Sequence, residues 1–338
     1  VMANGAFRRT VLSLMVFGLV VPTEAGALSA GLTARAGGLY TDNLTLSEDD
    51  GTEEWVGVGA LGLWVDHDSP ALKAEVAGEA EYRDYSEDSY SNETLFSMDA
   101  VAEGIIAQER FSWWVEDYFR QAAVDPFEPP TPDNRQDANF FSTGPEATWR
   151  LAPVHSVNAG ARYSQYYFSE SILDSRRPSA YVEWLYDFSP RTDLILNASA
   201  MAVDYANQTL NDNYQRADAT IAMETDLARG SIELEAGGSR IDREEMEDIS
   251  GHTARIRWVH ELNSSSELSL YGMSRYTDVG QDIYTSAERG GAVSLLNEQL
   301  VSDIYQVTET ELAYRREGGV AEMEVSASWR DEDYDSTS

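Results

Sequence analysis

Strict alternation of apolar and polar residues constrains this chain more than any other feature, because it recurs from segment to segment along the whole sequence. In the stretch ALKAEVAGEAEYRDY, the even-numbered positions start with the apolar residues Leu72, Ala74 and Val76. The odd-numbered positions between them start with the charged residues Lys73 and Glu75. Successive side chains of a β-strand point to opposite faces, so this period indicates strands with one apolar and one polar face. No stretch with the period of a helix interrupts the pattern, and an all-β fold is predicted.

The connectors between these segments alternate in length. Short connectors lie at 66–70, 108–110, 151–153, 189–193, 228–231, 262–266 and 316–319, and longer polar connectors lie between them at 41–53, 85–93, 125–139, 169–178, 206–213, 242–251 and 278–300. Tight turns on one rim and long loops on the other are typical of outer-membrane barrels. The predicted fold is therefore a transmembrane antiparallel up-and-down β-barrel.

The number of strands follows from the number of segments. About fifteen segments are visible, with 278–300 ambiguous, and the last one finishes on the long-loop rim. An open sheet edge in lipid leaves backbone groups unpaired, so the barrel has to close. We expect about 16–18 strands in the complete barrel, with the C-terminal end of the chain truncated.

The N-terminal residues have the layout of a secretory signal peptide. Arg8 and Arg9 precede an apolar run over 11–21, Pro22 ends the run, and small residues lead up to Ala27. About 11 apolar residues are too few for a transmembrane helix. We expect cleavage after Ala27, with Ala30 as the second choice, so that residues 1–27 are the signal peptide and 28–338 the barrel.

The composition of the apolar face indicates what covers it. That face is rich in Ala, Gly and Leu, with aromatic residues towards the segment ends, which fits lipid contact between interfacial girdles. A soluble β-sandwich would bury bulkier Ile, Val and Phe, and a secreted β-helix would show a short sequence repeat. Hydrocarbon is therefore the predicted neighbour of this face. The aromatic cluster of Tyr163, Tyr166, Tyr167 and Phe168 is interpreted as part of a girdle rather than as a platform for sugar rings.

Net charge and cysteine content exclude several classes of function. The formal net charge of −35 argues against nucleic acid as a partner, and the absence of cysteine excludes disulfides, thiol catalysis and cysteine-ligated zinc. No GxSxG or HExxH sequence occurs. The chain is predicted to be no enzyme and to hold no cofactor and no metal.

Three stretches carry a resemblance to a known family: GGLYTDNLTLS, DPFEPPTPDNRQDANFFSTGP and HSVNAGARYSQYYFSES. With the barrel pattern they resemble the β-barrel porin 2 family, which includes barrels encoded with exopolysaccharide synthesis and with the exosortase (PEP-CTERM) system of Gram-negative bacteria. Asp42-Asn43 and Asp133-Asn134-Arg135 match the motifs of that family. The resemblance implies an outer-membrane location and a role in the export or anchoring of surface polysaccharide.

The polar parity supplies the candidate functional residues. Their charges would either pair across strands or line a wet pore, and the two roles are compatible. The excess of acids would favour cations or neutral sugars over anions. The predicted lumen-lining residues are Glu75, Glu79, Glu81, Arg83, Asp99, Glu103, Arg150, Arg162, Arg216, Asp218, Glu224, Glu233, Glu235, Arg255, Arg257, Glu322 and Glu324.

Other candidate sites have simpler interpretations. His252 is the one histidine near the long-loop rim, close to Asp248 in sequence, and a solvated loop residue explains it best. The carboxylate-rich loops 47–54 and 242–248 could bind divalent ions weakly, but a charged, soluble rim is the better interpretation. Four prolines stiffen the connector 125–139, which could fold inward as a constriction or stand outward as a contact surface.

Three functions remain open. The leading hypothesis is a porin-like conduit or docking element for export of surface exopolysaccharide. The second is a structural or adhesive barrel with a plugged lumen, and the third is an outer-membrane hydrolase. The expected partners are outer-membrane lipid, lipopolysaccharide, the barrel-assembly machinery, and exopolysaccharide or small solutes.

Overall fold

The computed structural model describes residues 10–20, 28–41, 44, 53–122, 124, 131–170, 173–208, 211–288, 304–317 and 322–334. Side chains at 10–20, Ile283, 286–288, Glu322 and Tyr334 lie outside this description. Most of the predicted signal peptide, the motif at 42–43 and the acidic residues at 47–52 fall outside it as well.

Strands account for most of the described residues. They are β1 (Thr10–Val20), β2 (Leu28–Thr41), β3 (Glu54–Asp68), β4 (Leu72–Tyr85), β5 (Glu93–Ala107), β6 (Phe111–Ala122), β7 (Gln136–Ala152), β8 (His155–Phe168), β9 (Ser175–Ser189), β10 (Thr192–Tyr205), β11 (Tyr214–Leu227), β12 (Gly230–Arg243), β13 (Ile249–Asn263), β14 (Ser266–Thr277), β15 (Tyr305–Glu317) and β16 (Glu322–Tyr334). A 3-10 turn spans Pro132–Asn134, and the helix α1 spans Val279–Glu288. In the described part of the chain, no helix is long and apolar enough to cross a bilayer.

The sheet has up-and-down topology throughout. Its 16 strands lie in the order of the sequence, and each pairs antiparallel with its neighbours in the chain. This confirms the predicted fold class, an antiparallel up-and-down β-barrel. Among the described strands, β1 and β16 stand at the ends of the order and pair on one side.

The predicted alternation of connectors is confirmed as well. Short turns join β3 to β4 and β7 to β8, whereas long connections join β6 to β7 and β14 to β15. Every short turn lies at one rim of the sheet because successive strands run in opposite directions. The two rims are called the short-turn rim and the long-loop rim below.

The structure corrects the predicted absence of helices. Within the ambiguous segment 278–300, residues Val279–Glu288 form α1. The Asp278 carboxylate accepts a hydrogen bond from the backbone N–H of Gln281 at 3.1 Å, which caps the first turn. Ten residues are too few to show a clear helical period, and an isolated helix of that length is marginal in water, so contacts with the barrel have to stabilise it.

Several strand boundaries differ from the predicted ones. The connectors 125–139, 169–178 and 242–251 are shorter than expected, because β7 begins at Gln136, β9 at Ser175 and β13 at Ile249. Pro178 therefore lies inside a strand, opposite Tyr163 of β8. Residues 10–20 form β1 and pair with β2; removal of residues 1–27 as a signal peptide stays a prediction.

The sheet curls around α1. The Tyr284 hydroxyl of α1 donates to Glu116 Oε2 of β6 at 2.7 Å, although β6 lies eight places from β14 in the strand order. Buried apolar side chains gather around the helix at the long-loop end, among them Phe140, Tyr166, Val279 and Tyr305. The barrel therefore has a packed core inside its lumen at this end.

Candidate functional site

The predicted lumen-lining residues share one face of the sheet. The register places Glu81 of β4 opposite Ala60 of β3, and Glu235 of β12 opposite Arg255 of β13, so these positions point to the same side. The same parity continues through every strand from β4 to β16, and it is the side on which α1 lies. All the predicted positions fall on this inward face, although the side chain of Glu322 is outside the described residues. Their part in transport stays a prediction.

Several of these charges form ion pairs across the strands. Arg35 Nη2 contacts Glu79 Oε1 at 2.5 Å and Glu81 Oε2 at 2.6 Å, so one guanidinium of β2 bridges two carboxylates of β4. Arg255 contacts Glu233 at 2.6 Å and Glu235 at 2.8 Å in the same manner. Opposite charges on the inward face thus link strands that lie one or two places apart in the sheet.

The remaining predicted residues divide into two groups. Arg83, Asp99, Arg162, Arg216 and Asp218 form ion pairs, with Glu81, Arg120, Glu146 and each other. A second group has no ion pair with any other described residue, and it consists of Glu75, Glu103, Arg150, Glu224, Arg257 and Glu324. The inward face therefore carries both fixed pairs and charges that remain available to solvent or solutes.

A buried ion pair fixes the start of α1 to the barrel wall. Arg177 Nη1 and Nη2 of β9 donate to the two carboxylate oxygens of Asp278, both at 2.7 Å, and each side chain is only 1% exposed. Tyr214 of β11 donates its hydroxyl to Asp278 Oδ2 at 2.5 Å. The guanidinium also lies over the ring of Tyr166, with 4.3 Å between its carbon and the ring centroid. Every polar atom of the Asp278 carboxylate thus has a partner.

These contacts set the ionisation of Asp278. Burial by itself raises the pKa of the carboxyl, but the Arg177 charge and the hydrogen bonds from Arg177, Tyr214 and the Gln281 amide lower the pKa to about 2. Asp278 is therefore ionised at neutral pH and keeps the pair with Arg177 intact.

A second carboxylate ties α1 to the last three strands of the sheet. Asp282 accepts hydrogen bonds from Arg275 of β14 at 3.3 Å and from Tyr305 of β15 at 3.4 Å. Arg330 of β16 also donates to it. Asp278 and Asp282 are one helical turn apart and thus attach the helix to two separate parts of the wall, β9 and β11 in one case and β14 to β16 in the other.

Tyr284 completes the crossing of the lumen. Its ring stacks on Tyr166 with centroids 5.6 Å apart and meets the edge of Tyr118 at 5.9 Å. Its hydroxyl reaches Glu116 on β6. The helix therefore narrows the lumen near the long-loop rim. Whether the proline-rich connector also folds inward stays open, because its residues 125–130 lie outside the described part of the chain.

A cavity of about 370 Å³ with both charged and apolar lining residues lies beside α1. We call it the chamber. Its wall includes Arg162, Arg216 and Arg275 from the barrel and Gln281 and Tyr284 from the helix. A larger cavity of about 670 Å³, here the mouth, opens at the short-turn rim and is lined by residues around the turns 69–71 and 108–110. The lumen thus contains a wide mouth at the short-turn side and a smaller chamber bordered by α1 at the long-loop side.

The residues that hold α1 were not among the predicted site residues. Arg177 lay in a predicted loop, and Asp278, Asp282 and Tyr284 lay in the ambiguous segment 278–300. The residues of the girdle cluster also separate, because Tyr166 and Phe168 are buried inside while Tyr163 and Tyr167 are exposed outside. The alternation of side chains by itself predicts this separation. Tyr166 is an even number of residues from Arg162 in β8, so both side chains point inward.

His252 lies away from this site. It belongs to the outward parity of β13, opposite Gly238, and its Nε2 lies 3.3 Å from Gln306 Nε2. Gln306 Nε2 also donates to Ser274 Oγ at 3.0 Å, so the Gln306 amide lies between the Ser274 hydroxyl and the His252 ring. Asp248, near His252 in sequence, instead pairs with Arg240 at 3.2 Å. Among the described residues no group of three or more His, Asp or Glu side chains is placed to hold a metal ion.

The outward face is apolar along the middle of the strands and aromatic towards their ends. Leu61 is 69% exposed at the middle of β3, and Ile221 is exposed at the middle of β11. Trp55, towards the long-loop rim, and Trp184, towards the short-turn rim, belong to the aromatic ends. An apolar band flanked by aromatic girdles around a polar interior is the surface that a lipid bilayer requires. The chain is an outer-membrane β-barrel.

No family model and no curated protein matches the chain. Among solved structures, the chain is similar to the ferric yersiniabactin uptake receptor FyuA from Yersinia pestis, with a TM-score of 0.47, 9% identity, and coverage of 95% of this chain and 59% of that chain. It therefore spans less than two thirds of the length of that receptor.

Two shorter barrels are also similar. One is a loop L8 deletion mutant of OmpT, an outer membrane protein of Vibrio cholerae, with a TM-score of 0.39, 10% identity, and coverage of 93% of this chain and 94% of that chain. The other is OprD of Pseudomonas aeruginosa, with a TM-score of 0.38, 9% identity, and coverage of 91% and 85%. Because these TM-scores lie below 0.5, the likeness supports neither a substrate nor an activity for this chain.

Proposed function

We propose that this barrel is a porin-like conduit or docking element for surface exopolysaccharide, of the kind found in the β-barrel porin 2 family. The observation that carries the proposal is the chamber, because it is a cavity with charged and hydroxyl groups between the barrel wall and a helix that comes from a long loop. A barrel of about sixteen strands is wide enough to hold water and solutes in its lumen. The outward face would contact lipid and lipopolysaccharide, and the barrel-assembly machinery would insert the chain. No nucleic acid is expected to bind.

A second candidate is a structural or adhesive barrel whose lumen is permanently plugged. The pair between Arg177 and Asp278 favours it, since a fully buried, bidentate ion pair holds α1 in one position. The ring contacts of Tyr284 with Tyr166 and Tyr118 add to this attachment. The two candidates differ in whether ions pass α1.

Conductance in planar bilayers separates these candidates. The purified wild-type barrel should carry a small current if it is a conduit, and the variant Asp278→Asn should carry a larger one because α1 loses its attachment. The matched control Arg240→Gln removes the exposed pair with Asp242 and should conduct like the wild type. Absence of current from both the wild type and Asp278→Asn would favour the plugged barrel.

A cellular experiment tests the link to polysaccharide. Deletion of the gene should lower the amount of exopolysaccharide on the cell surface, and complementation with the wild-type gene should restore it. Genes for glycosyltransferases or an exosortase beside this one would support the same role. An unchanged amount of surface polysaccharide would contradict it.

We propose that the protein is not an enzyme, and a hydrolase is the third candidate. A hydrolase that depends on His252 would need a hydroxyl nucleophile at the ring, and Gln306 occupies that place. The variant His252→Ala should therefore leave any hydrolytic activity of the purified protein unchanged. Loss of a reproducible activity would instead assign that activity to His252.

A further inference from the structure

Every arginine that lines the chamber is neutralised by a carboxylate. The pairs are Arg162–Glu146, Arg177–Asp278, Arg216–Asp218 and Arg275–Asp282, with N–O distances from 2.7 to 3.3 Å. Arg330, which shares Asp282, has its own partners in Glu309 and Glu332. The remaining charged residue of the lining is Glu116 of β6, and no cation among the described residues pairs with it. With the ion pairs counted, the chamber carries one uncompensated negative charge.

Glu116 has capacity to bind a ligand. Its side chain is half-buried on the inward face, opposite Val101 of β5 and Ser142 of β7. Glu116 Oε2 accepts the Tyr284 hydroxyl at 2.7 Å, and this is its one hydrogen bond with a described side chain. A carboxylate has two oxygens with about four acceptor sites, so most of them stay open. A charge withdrawn from bulk water is stabilised by a positive partner, and a cationic ligand would supply it.

Hydroxyl groups and tyrosine rings line the same space. Ser179 and Ser199 come from the adjacent strands β9 and β10, and neither hydroxyl bonds to another described residue. The rings of Tyr181 and Tyr284 also border the chamber. Hydroxyls form hydrogen bonds with the hydroxyls of a sugar, and an aromatic face packs against its apolar C–H groups. A cavity of about 370 Å³ lies in the range of about 300–1,000 Å³ in which proteins hold small ligands.

The lumen on the short-turn side of the chamber favours cations as well. Apart from the paired Glu146, the mouth sets three carboxylates against two cations; they are Asp68, Glu103 and Glu109 against Lys73 and Arg110. Across β9 to β12 the register places four carboxylates directly opposite one another, in the row Asp187, Asp193, Glu224 and Glu233. Like charges opposite each other in a sheet repel, and a passing cation relieves that repulsion.

We propose that the chamber binds the amino-sugar units of a cationic polysaccharide. The ammonium group would donate charge-assisted hydrogen bonds to Glu116, and Ser179, Ser199 and the tyrosines would contact the sugar ring. This inference rests on the proposed role in polysaccharide export and makes its substrate class specific. The composition of the sequence favoured cations or neutral sugars, and an amino sugar joins a cation to a sugar ring.

Calorimetry on the wild-type barrel in detergent tests this assignment without any variant. The probes are chitotriose, a trisaccharide of glucosamine, and its fully N-acetylated form. At about pH 5.5 the amines of chitotriose are protonated, whereas the acetylated sugar is neutral. Chitotriose should bind at least about tenfold more tightly, because hydrogen bonds to charged groups are the stronger ones. Added salt should weaken the binding of chitotriose only. Equal affinities, or no binding of chitotriose, would overturn the assignment.

A pair of variants locates the binding. Glu116→Gln removes the unpaired charge but keeps an oxygen that can accept from Tyr284, and it should lower the affinity for chitotriose about tenfold. Glu324→Gln removes an equally unpaired charge from the inward face of β16, which contributes no residue to the chamber, and should leave the affinity unchanged. Slower migration of the boiled than the unboiled protein in gels would verify that each variant is folded. An equal loss in both variants would show that chitotriose responds to the overall negative charge of the chain, and it would contradict binding at the chamber.

The outcome is separable from that of the proposed function. If deletion of the gene lowers surface polysaccharide but the wild-type protein does not prefer chitotriose, the cationic substrate class is wrong and the export role stands. If chitotriose binds as expected while surface polysaccharide is unchanged in the deletion strain, the chamber assignment stands and the export role is wrong.

Discussion

Arg177 and Asp278 form a fully buried, bidentate ion pair, although they are 101 positions apart in the chain. The pair joins a barrel strand to the first turn of a helix that lies in the lumen. It determines where α1 sits and hence how wide the lumen is at the long-loop end.

Removal of one partner of this pair should destabilise the barrel strongly. Asp278→Asn leaves the Arg177 charge buried without compensation, and we expect a loss of about 3–5 kcal/mol in the free energy of unfolding. Chemical denaturation in detergent measures it. The double variant Arg177→Met with Asp278→Asn should lose less than the sum of the two single variants, because no unpaired charge remains. Additive losses would show that the two residues do not act as a pair.

The contribution of Asp278 should depend on pH. Its pKa falls from 3.8 to about 2 on folding, so its stabilising effect is complete above pH 3.8 and is lost as the pH falls towards about 2. The difference in unfolding free energy between the wild type and Asp278→Asn should therefore be constant between pH 5 and 7, shrinking below about pH 4. Denaturation curves at several pH values test it. A difference that shrinks already near pH 6 would be inconsistent with a lowered pKa.

Tyr284 should control the width of the constriction. Tyr284→Ala removes the ring that crosses to Tyr166 and Tyr118, and single-channel conductance should rise. Tyr284→Phe keeps the ring and loses only the hydrogen bond to Glu116, so its conductance should stay near that of the wild type. If both variants conduct alike, the ring does not form the constriction.

Charge on the outward face should be far more harmful than charge on the inward face. Ile221, exposed at the middle of β11, faces lipid, and Ile221→Arg should cost about 2–4 kcal/mol of unfolding free energy. Glu224→Arg on the inward face of the same strand would lie opposite Glu233 and should be tolerated. Denaturation of both variants in lipid vesicles provides the comparison. Equal tolerance of the two substitutions would mean that β11 does not face hydrocarbon at Ile221.

The local alternation of apolar and polar residues was sufficient to predict the strands of the barrel. Alternation of side chains has a period of two residues, which any single strand displays without reference to the rest of the chain. The inward positions of Glu81 and Arg255 therefore follow from their own segments, as do the turns that join consecutive strands. The predicted and observed ends of β10 and the start of β11 agree, since residues 206–213 lie between Tyr205 and Tyr214.

The narrowing of the lumen by α1 could not be predicted from the local alternation of residues. Whether α1 forms depends on Asp278 meeting Arg177, and on Tyr284 meeting Glu116 across the lumen. Those contacts exist only when the sheet has curled, because they join residues far apart in the sequence. The chamber has the same origin, since Arg162, Arg216 and Arg275 come from three separate strands. The sequence by itself determined which side chains face inward, through a local period, whereas the tertiary structure alone decided which of them meet, because closure of the sheet sets those distances.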